Sequence, residues 1–151
     1  MKFQTLTQNY YEESVQLLLD LELDTREEIE HHLVDMDAHL ICLDGDTVVG
    51  IVGWYKDNVN YANEAMGDLF PGEEAFWVGF FGVKCEYQNK GIGTQLLSRM
   101  EENIRERGAN EWWVSSVPEA KEFYEKKGFP VVCIGEISGN KKFFMRKKLS
   151  D

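Results

Sequence analysis

Cysteine, proline and histidine are scarce in this chain of 151 residues, with three of each. Three cysteines, Cys42, Cys85 and Cys133, cannot all pair with one another and have no metal-ligand spacing. That excludes a disulfide scaffold and suits a reducing, cytoplasmic setting. His31, His32 and His39 form no i, i+4 pair with a supporting carboxylate, so no metal site is expected and all three read as surface or helix residues. No apolar run is long enough to span a bilayer, and Met1–Thr5 does not resemble a signal peptide, so no membrane association is expected.

Basic residues are also few, 16 against 27 acidic ones, for a net charge of −11. A nucleic-acid partner is therefore not expected. The shortage is uneven: residues 1–75 carry 3 basic and 17 acidic side chains, residues 76–151 carry 13 and 10. An acidic first half either draws in a cationic partner over long range or simply keeps the protein soluble.

What is present is an ordinary globular composition, 43% hydrophobic and 13% aromatic, in a length that fits one domain over 1–151. Phe3–Leu6 reads as a first strand. Asn9-Tyr10-Tyr11-Glu12 offers a cap for a helix to about Leu21, and Thr25-Arg26-Glu27-Glu28 a cleaner capping box for a second. Ala38–Leu43 and Thr47–Trp54 flank Asp44-Gly45-Asp46 as a hairpin, with Gly50 and Gly53 weakening its second strand unless something packs closely. Residues 57–75 show no period and read as an excursion holding one helical turn, placed to cover a binding site. Ala75–Lys84 is a buried central strand, and a helix from Ile92 ends at Gly108. Glu111–Ser116 is a strand, with Trp112 in the core and Trp113 lining a cleft or the reverse. Ser116-Val117-Pro118-Glu119 caps a helix that stops at Gly128. Val131–Ile137 and Phe143–Leu149 complete the sheet.

One stretch carries chemistry. The central strand runs into a polar corner, and Gly91-Ile92-Gly93 opens a helix with Ile92, Leu96, Met100 and Ile104 along one face. A strand, a glycine turn and a helix start present backbone N–H groups and a positive dipole end to a phosphate. A dinucleotide-binding turn needs a third glycine where this chain has Leu96.

Val83-x-x-x-x-Gln88-x-x-Gly91-x-Gly93 resembles the pyrophosphate loop of the GNAT superfamily of acyl-CoA-dependent N-acyltransferases. Ala120-Lys121-Glu122-Phe123-Tyr124-Glu125-Lys126-Lys127-Gly128-Phe129 resembles that family's second landmark. The resemblance implies a single-domain α/β (α+β) fold. Its central sheet is mixed and mostly antiparallel, of about six or seven strands flanked by about four helices, with strands four and five splayed. It implies acetyl-CoA as co-substrate, its pantetheine arm beside the Val83 backbone and its pyrophosphate on Gln88, Asn89, Lys90, Gly91, Ile92, Gly93 and Thr94. An amine attacks the thioester directly, the Val83 N–H steadies the oxyanion, and Tyr124 donates a hydrogen bond to the departing thiolate; otherwise Tyr124 is a core aromatic. Full proton transfer from an unperturbed phenol to a thiolate is uphill by about 2 kcal/mol, so hydrogen bonding is the role expected of it.

The sequence departs from the family pattern twice. The glutamate common within strand four is absent from Trp77-Val78-Gly79, leaving Glu73 or Glu74 as substitute bases or as a solvated turn. Val117 replaces an asparagine seven residues before the tyrosine. The expected acceptor is a small-molecule or peptide amine, the first two helices walling its pocket, and a homodimer is in keeping with the family. The competing expectation is a non-catalytic CoA-binding or protein-interaction module on the same fold.

Overall fold

A left-handed glycine sets the first hairpin. Gly45, at φ +61°, turns the chain between β2 (His39–Asp44) and β3 (Thr47–Lys56), with Asp44 paired to Thr47. The register slips between Cys42 and Leu43, so Leu43 faces Val48 while Cys42 faces Gly50. Val48 and Ile51, an odd spacing apart, consequently enter the same apolar cluster. β1 (Lys2–Thr5) pairs antiparallel with β2.

The computed structural model describes residues 1–56 and 61–150; Asp57–Asn60, the start of the expected excursion, lie outside the described residues. The remaining strands are β4 (Phe76–Val83), β5 (Glu111–Ser116), β6 (Val131–Ile137) and β7 (Asn140–Lys148). The seven form one sheet in the order β1-β2-β3-β4-β5-β7-β6. β4 and β5 run parallel and pair only at Phe76–Trp112 and Trp77–Trp113; β5 spends its full length on β7. Strands four and five therefore part company early, as expected.

Among the described residues the α-helices are α1 (Gln8–Asp20), α2 (Arg26–Leu33), α3 (Tyr61–Met66), α4 (Ile92–Glu106) and α5 (Lys121–Lys126), five where about four were expected. Contacts divide the chain into two compact units, residues 1–55 with 79–103 and residues 56–78 with 104–151.

In the first unit α1 and α2 cover one sheet face. Val15, Leu18, Ile29 and Leu33 meet Ile41, Leu43, Val48 and Ile51, with Tyr10, Leu21, Met36 and Phe80 packed around them. α4 covers the other face, burying Ile92, Leu96, Leu97 and Met100. A Cβ on Gly50 would stand 3.0 Å from Leu96 and 3.2 Å from Ile92, so the weakened strand is compensated by close helix packing. In the second unit Trp77 packs on Trp113 with centroids 5.7 Å apart, and Trp112 packs on Phe129 at the same separation. Both Trp112 and Trp113 are buried, so neither lines a cleft: Trp113 is sandwiched by Trp77 and by the Arg146 guanidinium, 5.5 Å from its ring.

Three expectations about helix starts and strand ends are corrected. Thr7, not Asn9, stands at the N-cap of α1, and Asn9 lies inside the helix. Ser116 does not cap α5: its hydroxyl donates to the Val117 carbonyl at 2.8 Å, and Pro118–Ala120 forms a separate short turn first. The sixth and seventh strands meet at a two-residue turn, Ser138 and Gly139 at φ +52° and +81°, so β7 begins at Asn140 rather than Phe143.

Candidate active site

The phosphate-loop candidate lies wholly in the first unit. β4 ends at Val83, and the Lys84 N–H is tied to the Val49 carbonyl at 2.8 Å. A short turn follows through Cys85–Tyr87. The Gln88 side chain folds back, its Nε2 donating to the Val83 carbonyl at 3.0 Å. That bond fixes the corner against the strand end, a positioning role for the Gln88 side chain that residue spacing does not reveal. Asn89 and Gly91 then both adopt left-handed backbone, φ +63° and +85°. Left-handed residues alternating with right-handed ones turn successive N–H groups inward into an anion-holding nest.

α4 starts immediately afterwards, its first turn closed by the Gln95 N–H on the Gly91 carbonyl at 3.1 Å. By helix geometry the N–H groups of Ile92, Gly93 and Thr94 precede that first bond and point out of the helix end. The two glycines serve different ends. A Cβ at Gly91 would meet nothing within 4 Å, so that position needs its backbone conformation and leaves open space before the amides. A Cβ at Gly93 would come within 3.2 Å of the Phe81 ring, so that position lets α4 pack on β4. Asn89, Lys90 and Thr94 are exposed; Lys90 Nζ sits 5.6 Å from the Tyr87 ring, whose hydroxyl donates to Asp44 Oδ2. The structure thus brings Val83 and Gln88 to Thr94 together in one corner.

Tyr124 belongs to the second unit. It is 7% exposed, edge-on to Phe123 at 5.4 Å and to Phe129 at 5.6 Å. Gly128, at φ +94°, ends its helix with the Phe129 N–H on the Tyr124 carbonyl and the Gly128 N–H on the Glu125 carbonyl. Burial pushes the phenol well above its ordinary pKa. A group so placed stays protonated, and its chemistry is donation of a hydrogen bond rather than loss of a proton.

The substitute bases sit in an exposed turn ahead of β4. Glu74 is paired with Lys56 at 3.1 Å, and its side chain is 89% exposed. Glu73 beside it is exposed as well. Glu74 also borders an open cavity of about 910 Å³ with Pro71, Phe76, Arg105, Asn110 and Lys148. Among the described residues no group of three metal-ligating side chains occurs, and no helix is long and apolar enough to cross a membrane.

One histidine differs from expectation. His31 and His32 are on α2, but His39 opens β2 and is 2% exposed, with Nδ1 2.9 Å from the Asp35 carbonyl. Its ring occupies the space a side chain at Gly53 would need: a Cβ there would stand 2.5 Å from it. Counting back from the Asp44–Thr47 turn places His39 opposite Val52. The bulge moves the pairing to Gly53, which is why the pattern alone hid it. His32 is half-buried, its ring centroid 5.2 Å from both Tyr55 and Phe80.

Comparison with known proteins bears on the fold. An aminoglycoside 6'-N-acetyltransferase complexed with coenzyme A superposes with a TM-score of 0.78 at 16% identity, over 100% of this chain and 98% of that one. Ard1 from Thermoplasma volcanium gives 0.77 at 14% identity over 99% and 98%. A chain of the NatC complex bound to Gag peptide and CoA gives 0.75 at 14% over 99% and 98%. At these identities the likeness is one of fold. Among curated proteins, sequence comparison finds no match. The profile of the acetyltransferase (GNAT) family matches residues 3–129, and the chain belongs to that family.

Proposed function

We propose that the protein is an N-acetyltransferase, with residues 1–151 acting as one catalytic domain that moves the acetyl group of acetyl-CoA to a primary amine by direct attack. The observation that carries this reading is the left-handed Asn89–Gly91 corner opening α4, with free space in front of Gly91. It fits a diphosphate held by main-chain amides, with Lys90 and the Thr94 hydroxyl as side-chain additions. CoA supplies the activated thioester; the residues of this chain bind and orient it. The Val83 N–H is assigned to the developing oxyanion.

Tyr124 is assigned to the thiolate. Its burial keeps the phenol neutral, so stabilisation comes from a hydrogen bond, while the thiolate takes its proton from solvent. Deprotonating a lysine-like amine at pH 7 costs about 4–5 kcal/mol, so a base is needed. From their exposed turn Glu73 and Glu74 can serve that role only through water. The structural neighbours named above act on an aminoglycoside or hold a peptide. We take the acceptor here to be an amine of that broad kind, and cationic.

Calorimetry with CoA tests the loop. Wild type should bind, and Gly91→Glu should lose binding because a side chain and a negative charge would enter the nest. Normal affinity in that variant would remove the loop from the proposal. A thiol-release assay across an amine panel separates an enzyme from a binding module: a module binds CoA and releases no thiol above background.

A further inference from the structure

We propose that the acceptor amine is received on the α2 side of β4, in a cup formed by His32, Tyr55 and Phe80, and that His32 is the catalytic residue taking the proton the amine loses. This rests on the acetyltransferase reading and supplies the base that β4 lacks.

The cup is built by three elements of the first unit. His32 comes from the last turn of α2, Tyr55 from the end of β3 and Phe80 from the middle of β4. The imidazole stands edge-on to both rings, at interplanar angles of 75° and 83°. All three side chains are partly exposed, so a solute can reach the edge of the cluster.

Alternation along β4 places the cup relative to the phosphate loop. Phe80 packs with the α1–α2 cluster, and a Cβ on Gly82 would strike Leu21 of that same face at 2.6 Å. Phe81 and Val83 point the other way, toward Gly93 at the start of α4. The loop thus lies on one face of the strand and the cup on the other. An acyl group delivered along β4 from the loop side would meet an amine arriving from the cup side, and the two reactants would not compete for space.

The chemistry of the cup fits an aliphatic primary amine on a positively charged molecule. Aromatic rings tolerate an alkyl chain and attract an ammonium group. The carboxylates acting on His32 are Glu28 of α2 and Asp24 just before it. His31 of α2 and His39, which opens β2, interact with it as well, Tyr55 faces the ring from β3, and β4 presents Phe80. Burial and the neighbouring His31 hold the His32 imidazole below its ordinary pKa, against the smaller opposing pull of Glu28 and Asp24. At neutral pH it is therefore uncharged and able to accept a proton.

The step balances. The ammonium first gives one proton to the neutral His32 ring, which hands it to solvent; the amine's lone pair then forms the C–N bond to the thioester carbonyl carbon, the C–S bond breaks, and the sulfur leaves as thiolate. The proton on the newly acylated nitrogen passes to a ring nitrogen of His32 and on to solvent, and solvent protonates the thiolate. The products are an amide and free CoA.

The test compares wild type with His32→Gln and His32→Ala, with spermidine as probe amine. His32→Gln should lower kcat about 100-fold while CoA affinity by calorimetry and the melting temperature stay as in wild type. The acidic limb of the kcat/KM profile, expected below the ordinary histidine range, should disappear. Added imidazole should restore part of the His32→Ala rate, a response that loss of packing cannot give. Wild-type rate and an unchanged acidic limb in both variants would overturn the assignment while leaving the acetyltransferase reading intact. Wild type that binds CoA but acetylates no amine would end both.

Discussion

Tyr124 shows how burial selects among the things a phenol can do. Packed between Phe123 and Phe129, it cannot ionise cheaply, so it is a donor at any pH the fold survives. Tyr124→Phe keeps the ring and both edge contacts and removes only the hydroxyl. We expect kcat to fall at least about tenfold, consistent with loss of one hydrogen bond to a charged group, with CoA affinity and stability nearly unchanged. Equal turnover would return Tyr124 to the role of a core aromatic. His39 makes the complementary case. Burial lowers its pKa, so below about pH 6.5 the unfolded chain takes up a proton that the folded chain refuses. Stability should therefore fall as pH drops from 7.5 through 6 toward the folded pKa, and His32 contributes with the same sign. Urea unfolding at several pH values checks this. His39→Asn should flatten the acidic decline, and an unchanged slope would show that other groups carry it. Gly53→Ala, which must displace the His39 ring, should cost on the order of 1–3 kcal/mol.

At the scale of elements, local rules held where a side chain had one choice of partner. The Thr25 hydroxyl accepts from the Glu28 N–H at 3.3 Å, the first half of the expected capping box, while the Thr25 N–H donates to Asp24 Oδ1 at 2.8 Å in place of the Glu28 side chain. Thr25→Ala should cost about 1 kcal/mol in thermal or urea unfolding; because α2 carries His32, it should also weaken turnover more than CoA binding. A variant as stable as wild type would show the cap to be idle. Gly108 and Gly128 were equally legible, each closing a helix with the 5-back and 3-back bonds that a left-handed residue allows. The Asp44-Gly45 hairpin and the strand at Glu111–Ser116 also read directly from composition and alternation. Reading failed where tertiary pairing outbid a local motif. Ser116 is the last β5 residue, paired with Phe143, and it is held in the strand rather than released as a cap. Both tryptophans of β5 are buried because Phe129 packs on Trp112 while Trp77 and Arg146 pack on Trp113, which alternation within one strand cannot reveal. The glycine turn that opens α4 was legible because glycine chemistry is local; the grouping of His32, Tyr55 and Phe80 was not, since it joins positions 32, 55 and 80.

Over the whole molecule, charge sorts differently in space than in sequence. Divided at residue 75, the chain puts the phosphate loop in its basic half. Grouped by contact, the loop belongs to the unit of residues 1–55 and 79–103, which holds 15 acidic and 5 basic side chains; the other unit holds 12 and 11. Nearly the whole net charge therefore resides in the unit that carries both the loop and the cup. Long-range charge does not favour a polyanionic cofactor here, so on the proposed reading its binding rests on short-range amide contacts around Gly91. A polycationic acceptor, by contrast, is drawn toward this unit from a distance. Raising ionic strength from about 0.02 to about 0.3 M shortens the screening length several-fold. It should raise KM for spermidine several-fold and leave KM for acetyl-CoA almost unchanged. A zwitterionic amine of zero net charge should show little salt response. If acetyl-CoA proves the salt-sensitive partner, or the zwitterion matches the polyamine, the acidic surface serves solubility alone and acceptor choice rests on the cup's rings.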